Sequence, residues 1–374
     1  MTVTHLTLAA GDGVAEAKTL RTAVVGAGFM GRVHAEAARR AGVRVVAALG
    51  GSPASAERAA QALGAERGYP TLEALLSDAD VDVVHVCTPN ARHAEVTEAA
   101  LAAGLHVICE KPLATGVADA TRLFEAAQGR VATVPFVYRF HPMVRELRAR
   151  LASGEAGVVS TVVGGYLQDW LSRSTDDDWR VDSALGGPSR AFADIGSHWC
   201  DLFEFVTGDR IVRLSAQTAV VHERPTASNA STEDVASVHF ATAAGILGTL
   251  VVSQVAAGRK NRLHLEISGT EASFGFDQED PERLWVGRRE GNQTLLRDPD
   301  TLSADAARYA VLPAGHAQGY QDCFDAFVAD TYRAVNGEAP DGLPTFADGL
   351  RAVRITDSVL ASAAAGGAWI EVAG

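Results

Sequence analysis

Val24-Val25-Gly26-Ala27-Gly28-Phe29-Met30-Gly31 runs from an apolar strand straight into a GxGxxG turn, and a helical stretch follows from about Arg32. The three glycines do different things. Gly26 permits the tight turn, Gly28 lets the backbone approach a pyrophosphate, and Gly31 lets helix and strand pack closely. The helix start presents free N–H groups to an anion, so Phe29 and Met30 join the three glycines as expected dinucleotide contacts. The pattern alone is weak evidence. Its position at the first strand of an alternating series makes it strong.

That series continues outward. Short apolar runs at Thr22–Val25, Val43–Leu49, Val81–Thr88, His106–Cys109 and Val131–Val137 alternate with alanine-rich helical stretches. Continuous apolar strands separated by helices predict a parallel sheet covered on both faces, a Rossmann doubly wound α/β domain over 21–140. Beyond residue 157 the runs lengthen and alternate: Val158–Tyr166, Asp234–Ala241, Gly245–Val255, Leu263–Ser268 and Ala272–Phe276. Hairpins and a large, open, mostly antiparallel sheet are expected in an α+β domain over 141–374, for substrate binding and oligomerisation. Helices over Gln318–Val335 and Thr345–Ala363 are expected to cover that second sheet. Residues 1–20 read as a leader, since Asp12 and Glu16 stand where a signal peptide would be apolar.

The chain has 374 residues, 47% of them hydrophobic, enough to bury two cores. Its 46 acidic and 33 basic residues leave a formal charge of -13, which disfavours nucleic acid and anionic lipid. No apolar run reaches the roughly 18 residues of a membrane span. Four dispersed cysteines, Cys87, Cys109, Cys200 and Cys323, form neither a zinc pattern nor a disulfide framework, which points to a reducing cytoplasm. No metal site is expected.

The second apolar strand ends in Gly50-Gly51-Ser52, without the acidic residue that would bind a ribose 2′-hydroxyl and reject a 2′-phosphate. Ser52 and Arg58 could hold such a phosphate, or Ser52 could simply cap the next helix. NAD and NADP both remain open. Glu110-Lys111-Pro112 follows the run His106–Cys109, at the carboxyl edge of the sheet where ligands of such folds bind. Further on, Asp194-Ile195-Gly196-Ser197-His198-Trp199-Cys200-Asp201 reads as a helix start. Spacing of four sets Asp194 and His198 on one face, where the carboxylate can orient the imidazole of a general base. A capping aspartate and a core histidine are the plain alternative.

GxGxxG, then Thr88-Pro89-Asn90, then Glu110-Lys111-Pro112, then Asp-x-Gly-x-His-x-x-Asp: in this order the motifs resemble the glucose–fructose oxidoreductase/inositol dehydrogenase/MocA family, over nearly the whole chain from about residue 20. The resemblance implies an NAD(P)-dependent oxidoreductase of a secondary hydroxyl on a sugar or sugar derivative. Lys111 would contact the reacting hydroxyl, His198 would exchange its proton, and Asp194 would assist. Thr88, Pro89, Asn90, Glu110 and Lys111 would lie near the cofactor. Tyr138-Arg139-Phe140-His141-Pro142 resembles a segment that enters the active site, and Gly315-His316-Ala317-Gln318-Gly319-Tyr320 resembles a turn that reaches the pocket.

Substrate contacts are therefore expected from Tyr138, Arg139 and His316, together with Gln168, Trp170, Trp179, Arg180 and Arg190, an aromatic and basic concentration in an acidic chain. Arginine would also suit an anionic substituent. Alternatively the tryptophans are core, the arginines pair with Asp176, Asp177, Asp178 or Asp182, and His316 caps a helix. Two other functions stay open: a glycoside-cleaving enzyme working through transient oxidation of its sugar, and a non-catalytic dinucleotide-binding regulator. One uncovered face on a large sheet also implies a homodimer or homotetramer.

Overall fold

The structure, a computed structural model, describes residues 19–78, 80–224 and 232–374. The expected leader falls almost wholly outside them. No helix among the described residues is long and apolar enough to cross a membrane.

The first half alternates β1 (Arg21–Val25), α1 (Phe29–Arg40), β2 (Arg44–Leu49), α2 (Pro53–Leu63), β3 (Arg67–Tyr69), α3 (Leu72–Asp78), β4 (Val83–Val86), α4 (His93–Ala102), β5 (His106–Cys109), α5 (Val117–Ala126) and β6 (Ala132–Thr133). All six strands are parallel, in the order β3-β2-β1-β4-β5-β6. The order reverses between β1 and β4. Both strands end there at their carboxyl edges, so a ligand crevice opens beside the glycine turn. The three residues of β3, Arg67-Gly68-Tyr69, are too short and polar to show as an apolar run, and β6 is shorter than the run 131–137 suggests.

After α6 (Pro142–Ala152) come β7 (Val159–Leu167), a short α7 (Ser183–Gly186), α8 (Ser197–Thr207), and the strands β8 (Ile211–Ala219), β9 (Val235–Thr242), β10 (Leu247–Ser253), β11 (Arg262–Gly269), β12 (Ser273–Asp277), β13 (Arg283–Arg288) and β14 (Gly291–Leu296). A turn of helix, α9 (Ala304–Ala307), precedes α10 (Tyr320–Val335) and α11 (Phe346–Ala364), and β15 (Ile370–Glu371) closes the chain. The nine-stranded sheet runs β14-β13-β12-β11-β7-β10-β9-β8-β15, antiparallel except where β7 meets β10. Strands β8, β13 and β14 were not legible as apolar runs.

One face of this sheet is closed by α6 and α8. Trp199 of α8 is fully buried, donates its indole N–H to the His264 carbonyl at 2.8 Å, and lies against Gly164 of β7, where a Cβ would fall 2.4 Å from the indole nitrogen. Phe203 stacks on the same ring and Phe240 meets it edge-on. Of the two C-terminal helices, α11 packs on β8 of this sheet as expected, whereas α10 departs from expectation. Phe324, Phe327 and Val328 of α10 join Val24, Val33 and Ala37 in the core of the first domain, because the apolar face of α10 packs on α1. In α11, Phe346, Leu350 and Val353 belong to the first domain's core, while Ile355 and Val359 join the second and Ser362 accepts from the Ala216 N–H of β8 at 2.8 Å. One helix thus staples two cores together and fixes the cleft between them.

Candidate active site

The glycine turn is built as its sequence demands. Gly26 has φ +114°, and a Cβ there would lie 2.3 Å from the Cys87 carbonyl oxygen. Gly28 is the N-cap of α1, with no side chain satisfying the first N–H groups of the helix and nothing within 4 Å of where its Cβ would be. Open space before bare N–H donors is what a pyrophosphate requires, so the turn fits a dinucleotide. A cleft of about 640 Å³ extends from it, lined by Gly26, Gly28, Phe29, Met30, Thr88, Pro89, Asn90, Glu110 and Lys111, and also by Leu49, Gly50, Gly51, Cys87, Arg92 and His93. Trp179 and Arg180, expected at the substrate, stand in this cleft too, and Trp179 lines this cleft only. Gly31 stands behind the turn, packed on the Gly26 carbonyl.

Ser52 and Arg58 are placed otherwise. Ser52 caps α2, accepting from the Ser55 N–H while the Ser55 hydroxyl accepts from the Ser52 and Gly51 N–H groups. Arg58 lies exposed on α2 and is not among the residues lining the cleft. The capping alternative describes Ser52.

A second cavity of about 300 Å³ adjoins the first, lined by Lys111, Tyr138, Gln168, Arg180, Asp194 and His198 and, unforeseen, by Tyr166, Asn261 and Tyr320. Phe29, Met30, Glu110, Lys111 and Arg180 line both cavities. Lys111 precedes a cis proline at the end of β5. Its Nζ donates to the Asp194 carboxylate at 2.5 Å and to the Asp194 carbonyl at 3.1 Å. Gln254 donates to the other carboxylate oxygen at 2.8 Å, and Arg180 approaches the first at 3.5 Å. Burial alone would raise the Asp194 carboxyl, but Lys111 and then Arg180 outweigh it and hold it at about 2. Asp194 sits in a π-helical turn, Phe192–Gly196, that leads into α8.

His198 begins the next turn, with its ring edge-on to Phe136 and Tyr138 at 5.6 and 5.1 Å. Burial first, then the Lys111 cation, push it down to about 3. It is therefore a neutral imidazole in the site as it stands. Its expected partnership with Asp194 is corrected: the carboxylate bonds Lys111 and Gln254, and His198 Nδ1 has no hydrogen-bond partner among the described residues. A buried carboxylate beside an ammonium pairs with the charge before a neutral ring.

A polar chain closes the far wall. The Tyr138 and Tyr166 hydroxyls bond each other, Tyr166 donates to Asn261 Oδ1 at 2.7 Å, and Gln168 donates to the same oxygen at 2.7 Å. Trp170 does not line the cavity but donates to Gln168 at 2.8 Å, a supporting rather than a contacting position. Arg180 lies over the Trp179 ring and donates to Asp178 at 3.1 Å.

Three further expected pocket residues lie away from both cavities. Arg139 donates to Asp201 at 2.8 Å and to Asp348 at 2.8 Å, and lines a separate cavity of about 290 Å³ behind α8. Arg190 is buried against Asp234, which also binds Arg224. Both arginines are spoken for by carboxylates remote in sequence. His316 is exposed, and its carbonyl accepts from Arg297; Tyr320, at the end of the same turn, is the residue that reaches the pocket.

A dinucleotide-type Rossmann domain whose cleft opens into a cavity carrying a paired lysine and a neutral histidine defines a two-domain nicotinamide oxidoreductase. Residues 20–136 match the oxidoreductase family with the NAD-binding Rossmann fold, and residues 144–275 match the GFO/IDH/MocA C-terminal domain. The chain belongs to the Gfo/Idh/MocA family.

Levoglucosan dehydrogenase of Pseudarthrobacter phenanthrenivorans is 28% identical, over 95% of this chain and 98% of its own. A crystal structure of an oxidoreductase domain protein from Kribbella flavida superposes with a TM-score of 0.87 at 32% identity, covering 95% of this chain and all of that one. An inositol dehydrogenase homolog from Azotobacter vinelandii, complexed with NADH and myo-inositol, gives 0.83 at 28% identity, covering 95% and 98%.

Proposed function

We propose that the protein is an NAD-dependent dehydrogenase of a secondary hydroxyl on a neutral cyclic polyol or sugar, with Lys111 and His198 handling the proton. The observation that carries this reading is the convergence of Lys111 and His198 on one cavity that shares five wall residues with the dinucleotide cleft. The nicotinamide, when bound, supplies the hydride acceptor. The glycine turn would hold its pyrophosphate, with Thr88, Pro89 and Asn90 along the cleft. Lys111, oriented by Asp194, faces the substrate oxygen and stabilises negative charge there as the proton leaves. Neutral His198 receives that proton. Asp194 is thus a positioning group for the lysine.

Neutrality of the substrate follows from the pocket's charges. Two carboxylates and two cations line it, and both cations are engaged: Lys111 by Asp194, Arg180 by Asp178 and Asp194. An anionic substituent would have to displace one of these pairs, so the anionic reading loses its support. Hydroxyls, by contrast, match the Tyr166–Asn261–Gln168 chain, and the named ligands of the relatives, levoglucosan and myo-inositol, are uncharged polyols.

The test is titration of the purified protein with NAD and NADP, followed by absorbance of reduced nicotinamide as neutral and anionic sugars are added. Binding of NAD and reduction with a neutral cyclic polyol is expected. No carboxylate follows β2 to repel a 2′-phosphate, so NADP binds within about tenfold of NAD. Release of an aglycone from glycosides without net NADH would replace the proposal by the glycoside-cleaving one.

Assembly is inferred from the uncovered sheet face. Val163 on β7 and Leu247 and Val251 on β10 are 56%, 59% and 39% exposed on adjacent strands. Apolar side chains side by side on a flat sheet favour a second copy of the same face. Light scattering is expected to give at least twice the 39.2 kDa chain mass, and Val163→Arg to reduce it. A monomeric wild-type mass would remove the inference.

A further inference from the structure

Glu110 stands at the junction of the two cavities, and behind it runs a chain of buried groups that the proposed proton handling does not use. Its Oε1 lies 3.0 Å from His34 Nε2, His34 Nδ1 lies 2.8 Å from His85 Nδ1, and His85 Nε2 lies 2.7 Å from the Tyr332 hydroxyl. These residues come from α1, β4 and α10, and His34 and His85 are fully buried. The other carboxylate oxygen accepts the Lys111 backbone N–H at 3.1 Å.

With one proton on His34, the direction of this chain follows from its end. An ionised carboxylate can only accept, so His34 Nε2 carries a proton. A neutral His34 then accepts at Nδ1 from His85, and His85, with its one proton used, accepts at Nε2 from Tyr332. Burial and the neighbouring His34 hold His85 well below the ordinary histidine value, consistent with a neutral ring. Every contact is satisfied with one negative charge in the chain, at Glu110.

We propose that His34, backed by His85 and Tyr332, is a positioning residue that keeps Glu110 a fixed anion at the junction, and that this anion biases the site toward the oxidised, cationic form of the nicotinamide cofactor. The inference rests on the oxidoreductase reading, because hydride transfer requires the reacting ring to face the substrate cavity, where the shared wall residues lie. An anion there interacts favourably with a cationic ring and not with a neutral one.

The charge of Glu110 is set from several sides. Burial would raise its carboxyl, while the His34 hydrogen bond leads the groups that lower it, and the balance is downward. Lys111 lies beside it, with Arg180 across the cleft. His93 of α4 adjoins it with its ring nitrogens against the Pro112 and Thr88 carbonyls at 2.7 and 3.0 Å, and burial lowers its own value. His198 is neutral, and burial keeps the Cys87 thiol and Tyr320 hydroxyl protonated. Of these, His34 is the one whose side chain donates to Glu110. Removing it therefore raises the Glu110 carboxyl, which takes up its proton at a higher pH than in the wild type.

The experiment measures Kd for NAD+ and for NADH by fluorescence titration between pH 5.5 and 8.5, on full-length protein. Glu110→Gln, an isostere of the protonated carboxyl, is expected to raise the ratio Kd(NAD+)/Kd(NADH) about tenfold at all pH values. His34→Leu should give the same rise at low pH and recover toward wild type as pH increases. His34→Gln, which keeps one donor and one acceptor, should restore the wild-type ratio. In the Glu110→Gln background His34→Leu should add nothing.

A wild-type ratio in Glu110→Gln overturns the proposal even if the His34 variants do not fold, as does a pH-independent rise in His34→Leu. Wild-type protein that binds neither dinucleotide would overturn the oxidoreductase reading itself. The two failures are thus distinct.

Discussion

Lys111→Met lowers kcat by about a thousandfold or more while leaving Kd for NAD within about threefold. Loss of one preorganised donor to a forming oxyanion costs two to three decades by itself. Here the loss is compounded, because Asp194 remains: its carboxylate, buried and held at about 2 by Lys111, would face the developing negative charge without its cation. The same substitution alters His198. Its position near 3 depends on burial and on repulsion from Lys111, with Asp194 pulling the other way. Without the lysine the imidazole moves up from about 3, with burial still holding it below its ordinary value, and the acid limb of kcat/KM moves up with it.

A parallel change appears in stability. Asp194 contributes stability above its unfolded value that is lost as pH falls toward about 2. With its folded value raised in the variant, that contribution is smaller and disappears at higher pH. Steady-state kinetics with NADH titration and melting curves against pH check all three. A kcat within tenfold of wild type, or an unmoved acid limb, would remove Lys111 from the role assigned to it.

The parts of this site that could be read from sequence are those in which local chain geometry and chemistry coincide. GxGxxG, Thr88-Pro89-Asn90 and Glu110-Lys111 lie at consecutive carboxyl edges of one parallel sheet, so order along the chain translates directly into a shared cleft. Tyr166, Asn261 and Tyr320 come from the end of β7, the turn before β11 and the start of α10, and nothing local links them. Their meeting depends on β7 pairing with β11, a contact about a hundred residues long-range, and on α10 returning to the first domain. Asn261 stands among Lys260 and Arg262, where a polar residue reads as surface.

The arginines failed for a related reason. For Arg180 and Arg190 proximity in sequence suggests a pocket or a pairing with Asp176–Asp182; Arg180 does pair with Asp178, whereas Arg190 meets Asp234, and Arg139, expected at the pocket from the resemblance, meets Asp201 and Asp348. Periodicity identifies a face, but the partner of a buried charge is chosen by tertiary contact. The same limit applies to α10, whose amphipathic pattern could not say which sheet it would cover.

Gly31→Ala raises Kd for NAD by about a hundredfold, corresponding to about 2.7 kcal/mol, and lowers the melting temperature. A Cβ at this position would lie 1.9 Å from the Gly26 carbonyl oxygen and 3.6 Å from Leu63. The oxygen cannot yield, since Gly26 is itself pressed against the Cys87 carbonyl at a φ of +114°. Helix α1 must therefore retreat from the turn by more than an ångström, at the 1–3 kcal/mol typical of overpacking. Three things travel with it. The bare N–H groups at its start leave the position that meets the pyrophosphate, Phe29 and Met30 withdraw from the junction, and His34 draws away from Glu110 and from the face of Phe324 on α10. The core around Trp199 is a separate cluster with no residue of α1 in it, so near-ultraviolet dichroism from that ring is expected to persist while binding is lost. Retained dichroism with a Kd within about threefold of wild type would mean that close helix approach is not what makes the turn a dinucleotide site.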